Sequence, residues 1–108
     1  MPAVAKKEEI PPGQAKAVEV NGKRIAIFNV DGTYYAIDDT CTHRGGPLSE
    51  GDVEKSRLQV TCPWHGAVYD LLTGKARDEG PYMGGASEAA HLKTYKVEVE
   101  GSDLKIDA

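Results

Sequence analysis

Glycine-centred turn signals at Asn21-Gly22, Asp31-Gly32, Thr73-Gly74-Lys75 and Gly101-Ser102-Asp103 cut this chain into short runs, and that division restricts the fold more than any other feature. Asn-Gly supplies the positive φ angles of a tight two-residue turn, so Val18-Glu19-Val20 and residues 23–30 read as a hairpin. Asp31-Gly32 then turns the chain into Thr33-Tyr34-Tyr35-Ala36-Ile37, a β-branched and aromatic run. Residues 58–61, 67–71, 94–100 and 104–106 read as further strands, the run from Thr94 to Glu100 alternating cleanly. Many short strands separated by such turns imply an all-β fold, an antiparallel sandwich or small barrel, with function carried on its loops.

Little else competes with that pattern. The helix candidates are short: residues 49–55, interrupted by Gly51, and residues 86–91. A glycine-rich segment, Gly80-Pro81-Tyr82-Met83-Gly84-Gly85, lies between Arg77 and Ala90. Residues 1–13 hold a charged stretch and Pro11-Pro12-Gly13, and the extreme N-terminus is expected to fray. At 108 residues the chain is expected to form one domain, 1–108, too small for an enzyme with its own substrate chamber. No run is long and apolar enough to span a bilayer, and the start of the chain lacks an apolar signal, so a cytoplasmic, monomeric protein is expected. A net charge of −4 argues against nucleic acid as a partner and suits docking onto a basic protein surface.

Chemistry concentrates in two Cys/His pairs. Cys41-x-His43 and Cys62-x-x-His65 use both cysteines of the chain and two of its three histidines, and each pair sits in glycine- and proline-bearing sequence. Thiolate and imidazole together suit iron–sulfur chemistry, zinc or copper rather than hard cations. A disulfide is disfavoured, because cytosolic thiols stay reduced. Structural zinc knuckles usually space their ligands by two to four residues, and the single residue between Cys41 and His43 is tighter than that. Such a gap points neighbouring side chains toward two adjacent metal atoms more easily than toward one.

Cys41-Thr42-His43-Arg44-Gly45-Gly46-Pro47-Leu48 and Cys62-Pro63-Trp64-His65-Gly66 resemble the two cluster-binding boxes of Rieske proteins. The flanks Phe28-Asn29-Val30-Asp31-Gly32, Tyr35-Ala36-Ile37-Asp38-Asp39 and Leu72-Thr73-Gly74-Lys75-Ala76 resemble the soluble Rieske-type ferredoxins that serve ring-hydroxylating dioxygenases. The resemblance implies a Rieske-type antiparallel β-sandwich of stacked sheets, with a loop-built cluster-binding part at about residues 40–83. It implies one [2Fe-2S] cluster per chain, with Cys41 and Cys62 on one iron and His43 and His65 on the other. It further implies an electron carrier between a flavin-containing ferredoxin reductase and a terminal oxygenase. Other readings of the same residues are a small Rieske-like subunit of a nitrite reductase and a structural zinc module.

Ligand charge explains why such a centre transfers electrons at moderate potential. Two thiolates leave the oxidised cluster neutral, whereas four leave it doubly negative, so histidine ligation lifts potentials into a window of about −150 to +300 mV against about −400 mV for plant-type ferredoxins. High-potential Rieske proteins brace the cluster with a disulfide, but Gly46 and Trp64 stand at those positions here. They also place serine and tyrosine hydroxyls on cluster sulfur; Ala67 stands at the first position and Tyr69 at the second. The expected potential is therefore in the lower part of the window, raised by Tyr69 if its hydroxyl reaches sulfur.

Around the ligands, Gly45 and Gly46 would let backbone N–H groups approach sulfide. Trp64 would shield sulfur from water or meet a partner, and Pro81 resembles the proline of the loop that covers the cluster. His91, without a paired cysteine, reads as a solvated surface histidine. An oxygenase also needs a mononuclear iron on two histidines and a carboxylate, which His91 alone cannot supply, so the chain reads as no enzyme in its own right. The acids Asp38, Asp39, Glu50 and Asp52 read either as a docking face or as a solvated one.

Overall fold

At both two-residue turns the backbone takes the left-handed conformation that the dipeptides demand, with φ of 51° and 79° at Asn21-Gly22 and 54° and 88° at Asp31-Gly32. The computed structural model describes residues 3–39, 47–63, 68–77 and 92–106. The turns join β2 (Ala15–Val20), β3 (Lys23–Val30) and β4 (Thr33–Asp38) into an antiparallel meander. Beyond them come β5 (Asp52–Glu54), β6 (Gln59–Thr61), β7 (Val68–Asp70), β8 (Ala76–Arg77), β9 (Thr94–Tyr95), β10 (Val97–Glu100) and β11 (Asp103–Ile106). A strand at the start, β1 (Ala3–Lys6), and two 3-10 turns, Lys7–Glu9 and Leu48–Glu50, complete the described elements. They form three sheets, ordered β1-β11-β10, β2-β3-β4-β9 and β5-β6-β7-β8, and every pairing is antiparallel.

The meander is the middle layer, and β3 shows it most directly: every residue from Ile25 to Val30 is buried, as expected of a strand covered on both faces. Successive side chains point to opposite faces of a strand. Ile25 and Ile27 pack with Ala36, Tyr95, Ala5, Ile10, Leu104 and Ile106 on the side of the terminal sheet. Ala26, Phe28, Val30 and Ile37 pack with Leu48, Val60, Cys62, Tyr69, Leu71 and Leu92 on the side of the β5–β8 sheet. Stacked antiparallel sheets agree with the fold expected from the sequence.

Two strand assignments change. The alternating run from Thr94 to Glu100 is not one strand: β9 pairs with β4, and after Lys96 the chain crosses to the terminal sheet, where β10 pairs with β11. Alternation records which side chains are buried, not which sheet buries them. Residues 3–10 are fastened, because β1 pairs with β11, Lys7 N–H donates to the Ser102 carbonyl at 2.8 Å, and Ile10 is fully buried. Lys6 also meets Asp103 at 2.6 Å. In keeping with their interruption by glycine, residues 49–55 form no helix; the 3-10 turn gives way to β5 at Gly51, where a Cβ would lie 2.3 Å from the Thr61 carbonyl oxygen. Leu58, with φ of 49°, belongs to the β5–β6 turn, and the strand begins at Gln59. The other helix candidate, residues 86–91, lies outside the described residues.

Candidate functional site

One edge-to-edge row of residues, Asp52↔Thr61↔Val68↔Arg77, marks one end of the β5–β8 sheet. The turn after Pro47 enters β5 there, Cys62 and Pro63 leave β6 there, and the chain beyond Arg77 departs there. The segments that carry Cys41 with His43, His65, and Pro81 are thus all attached to that one end. Of the four candidate ligands the described residues include Cys62 alone; Cys41, His43 and His65 lie outside them, as do Gly45, Gly46, Trp64, Ala67, Pro81 and His91.

Cys62 is 1 % exposed and packs in the cluster of Phe28, Leu48, Val60 and Tyr69. Tyr69 is directly opposite Val60, and Cys62 follows Val60 on the same face, so thiol and phenol are diagonal neighbours within reach of a long side chain. Tyr69 is fully buried. A thiolate is costly in apolar surroundings unless a positive centre compensates it. A metal bound by soft donors meets that requirement, and a binuclear iron–sulfur centre fits a buried thiol at the end of a rigid sheet.

The bases of the flanking segments are held by two neighbouring carboxylates that the sequence reading treated as surface charge. Asp39 is fully buried: its Oδ1 accepts from Ser49 N–H at 2.7 Å and its Oδ2 from Arg24 Nε at 2.6 Å. Its main chain is tied too, with Leu48 N–H donating to the Asp39 carbonyl at 2.6 Å and Asp39 N–H donating to the Arg24 carbonyl at 3.0 Å. Asp38 reaches the other way, accepting from the Tyr95 hydroxyl at 2.7 Å and Lys93 N–H at 3.1 Å. Leu92 N–H in turn donates to the Gly74 carbonyl at 2.7 Å, closing the return of the segment that left at Arg77. Asp39 is buried and Asp38 half-buried, whereas Glu50 and Asp52 are exposed. One signal in the sequence points to this clamp. A two-residue turn at Asp31-Gly32 sets the β3–β4 register, and extending it outward from Ile25↔Asp38 brings Arg24 opposite Asp39.

Electrostatics follow the geometry. The guanidinium of Arg24 is held more firmly protonated by its hydrogen bond to Asp39. Burial first, and then the bond to Asp38, pushes the Tyr95 phenol up from 10.0 to about 12. A proton held more tightly in the folded state stabilises fully below the unfolded value and is lost as a source of stability while pH rises to the folded one. Stability is therefore expected to fall between about pH 10 and 12, by about 2–3 kcal/mol from this residue. Urea unfolding across that range should show a shallower alkaline slope in Tyr95→Phe, and equal slopes would refute the assignment.

Among the described residues no group of three His, Cys, Asp or Glu side chains could hold a metal, and no helix is long and apolar enough to cross a membrane. The family model for the Rieske [2Fe-2S] domain matches residues 1–96. The ferredoxin component of the naphthalene 1,2-dioxygenase system of Pseudomonas aeruginosa is 36% identical over 99 residues, 92% of this chain and 86% of that protein. The 3-phenylpropionate/cinnamic acid dioxygenase ferredoxin subunit of Shigella boydii is 40% identical over 99 residues, covering 92% and 85%. Among solved structures, a complex of reduced oxygenase and oxidized ferredoxin in carbazole 1,9a-dioxygenase contains a chain that superimposes with a TM-score of 0.77 at 27% identity, over 98% of this chain and all of that one. Donor chemistry had left zinc and iron–sulfur both open, and a match of this extent decides between them: the chain belongs to the Rieske [2Fe-2S] domain family and carries one such cluster.

Proposed function

We propose that this protein is a one-electron carrier, taking electrons from a flavin-containing reductase and passing them to the Rieske centre of a terminal oxygenase. The observation that carries this reading is the extent of the likeness: it runs along 92% of this chain and 85–86% of two relatives named as ferredoxin components of dioxygenase systems. A neighbour solved together with its oxygenase adds support for the acceptor. Cys41 and Cys62 would hold one iron, and His43 and His65 the other. When bound, the cluster supplies a one-electron couple in the window of about −150 to +300 mV.

The chain's own residues set how that couple is used. The two thiolates neutralise the centre, and the imidazole edges of His43 and His65, small and conjugated, are the route by which an electron leaves. Tyr69, buried beside Cys62, offers a hydroxyl to sulfur without admitting water. Gly45 and Gly46 would let backbone N–H groups approach sulfide, Trp64 would shield sulfur or meet a partner, and Pro81 would belong to the cover of the cluster. The chain performs no chemistry on an organic substrate; it acts as one cytoplasmic domain and as a monomer.

The test is electron paramagnetic resonance on dithionite-reduced protein, followed by stopped-flow mixing with an oxidised Rieske oxygenase. A rhombic Rieske signal and electron transfer within the mixing experiment are the expected results. Purification only as a fixed subunit of a larger reductase, or failure to reduce any oxygenase, would overturn the carrier reading. Redox titration of Tyr69→Phe should give a lower potential than the parent, and an unchanged one would remove Tyr69 as a sulfur donor.

A further inference from the structure

We infer that Arg24 and Asp39 form a positioning pair for the first cluster loop, setting where Cys41 and His43 stand relative to Cys62. This rests on the cluster reading above and adds to it two residues that touch neither iron nor sulfur.

Asp39 stands two residues before Cys41, at the point where β4 of the middle sheet gives way to the loop. Ile37 and Asp39 share a face of that strand, the face turned toward Leu48 and the β5–β8 sheet. Its carboxylate therefore links two layers: Oδ2 is held by Arg24 at the end of β3, and Oδ1 holds the N–H of Ser49 on the far side of the loop. With the Leu48–Asp39 main-chain bond, both ends of the loop are fastened to a single residue.

The carboxylate side chain is 1% exposed and the guanidinium 62% exposed. A buried carboxylate is tolerated only when its oxygens are matched by donors, and removing one donor leaves an uncompensated charge. Arg24 is thus the outer half of the clamp, and it is accessible to substitution without opening the core. Asp38, on the opposite face, fastens Lys93 and Tyr95 at the return of the third segment. The end of β4 is a common anchor for the two segments that flank Cys62.

Arg24→Gln and Arg24→Lys in the cluster-loaded protein, with Asp39→Asn and the Arg24→Gln/Asp39→Asn double variant, test this. Arg24→Gln is expected to speed cluster loss to a chelator at least tenfold and to accelerate amide exchange at residues 40–49. It should also shift or broaden the reduced-state paramagnetic signal. Arg24→Lys should recover part of each effect, and the double variant should be no worse than the more damaging single, because the two side chains act as one unit. Variants that keep the parent's cluster-loss rate, loop exchange and signal would overturn the inference. So would cluster loss that merely tracks global unfolding in urea, or effects that add in the double variant. If the parent itself shows no Rieske signal, the cluster reading has failed rather than the clamp.

Discussion

Cys62→Ala is expected to abolish the cluster, taking visible absorbance, acid-labile sulfide and the reduced-state signal to background, and to lower the melting temperature by more than about 10 °C. Both effects trace to where the thiol sits. Cys62 is 1% exposed at the end of β6, on the sheet end to which all three flanking segments attach. Truncation there removes the proposed ligand, which water cannot replace, because the surroundings are Phe28, Leu48, Val60 and Tyr69. The packing loss alone is small, on the order of 1 kcal/mol for the atoms removed. The larger part is the loss of a metal centre that joins separate loops, since metal binding energy is folding energy. A Cys62→Ala protein that retained iron and a rhombic signal would sink the ligand assignment.

Gly74→Ala should destabilise by about 3 kcal/mol or more, against about 1 kcal/mol for Gly101→Ala. The comparison separates two causes. Both glycines have positive φ, 74° and 62°, so the cost of placing an L residue in the left-handed region is nearly common to them. Only at Gly74 is there no room: a Cβ would lie 2.1 Å from the Leu92 carbonyl oxygen and 3.1 Å from Thr94 Cγ2, whereas nothing lies within 4 Å at Gly101. Relief requires backbone movement, which breaks the Leu92–Gly74 hydrogen bond and loosens the return of residues 78–91. Urea midpoints of the two variants provide the measurement, and equal losses would show that backbone strain, not the close approach, controls both positions.

Much of the middle layer was legible because its information is local. Asn21-Gly22 and Asp31-Gly32 each demand one turn type, and each turn then dictates a register that runs unbroken from Val20↔Lys23 and Val30↔Thr33. The family and the cluster were legible for a similar reason, as donor chemistry written in short motifs. What escaped was information held by partners distant in sequence. Lys6 to Glu9 reads as a charged tail until Asp103 and Lys16 are set against it. Gly51 reads as a helix interruption until the Thr61 carbonyl is seen where its side chain would be. Asp38 and Asp39 look alike as acids, yet alternation sends one to Tyr95 and the other to Ser49, and only their hydrogen bonds show them as anchors. The Lys96 crossover is invisible to periodicity, because both sheets ask the same alternation of the chain.

The pairing of β1 with β11 sets Ala3 against Lys105 and so closes nearly the whole chain into a ring. The entropic cost of closing a loop rises only slowly with its length, but contacts so far apart in sequence are met late in a search dominated by nearer ones. Residues 15–38 can form their meander from local turns, and residues 52–77 their own sheet, before either end of the chain is engaged. The topology therefore leads one to expect assembly outward from the β2–β4 meander and the β5–β8 sheet, with the terminal strands arriving last to close the ring.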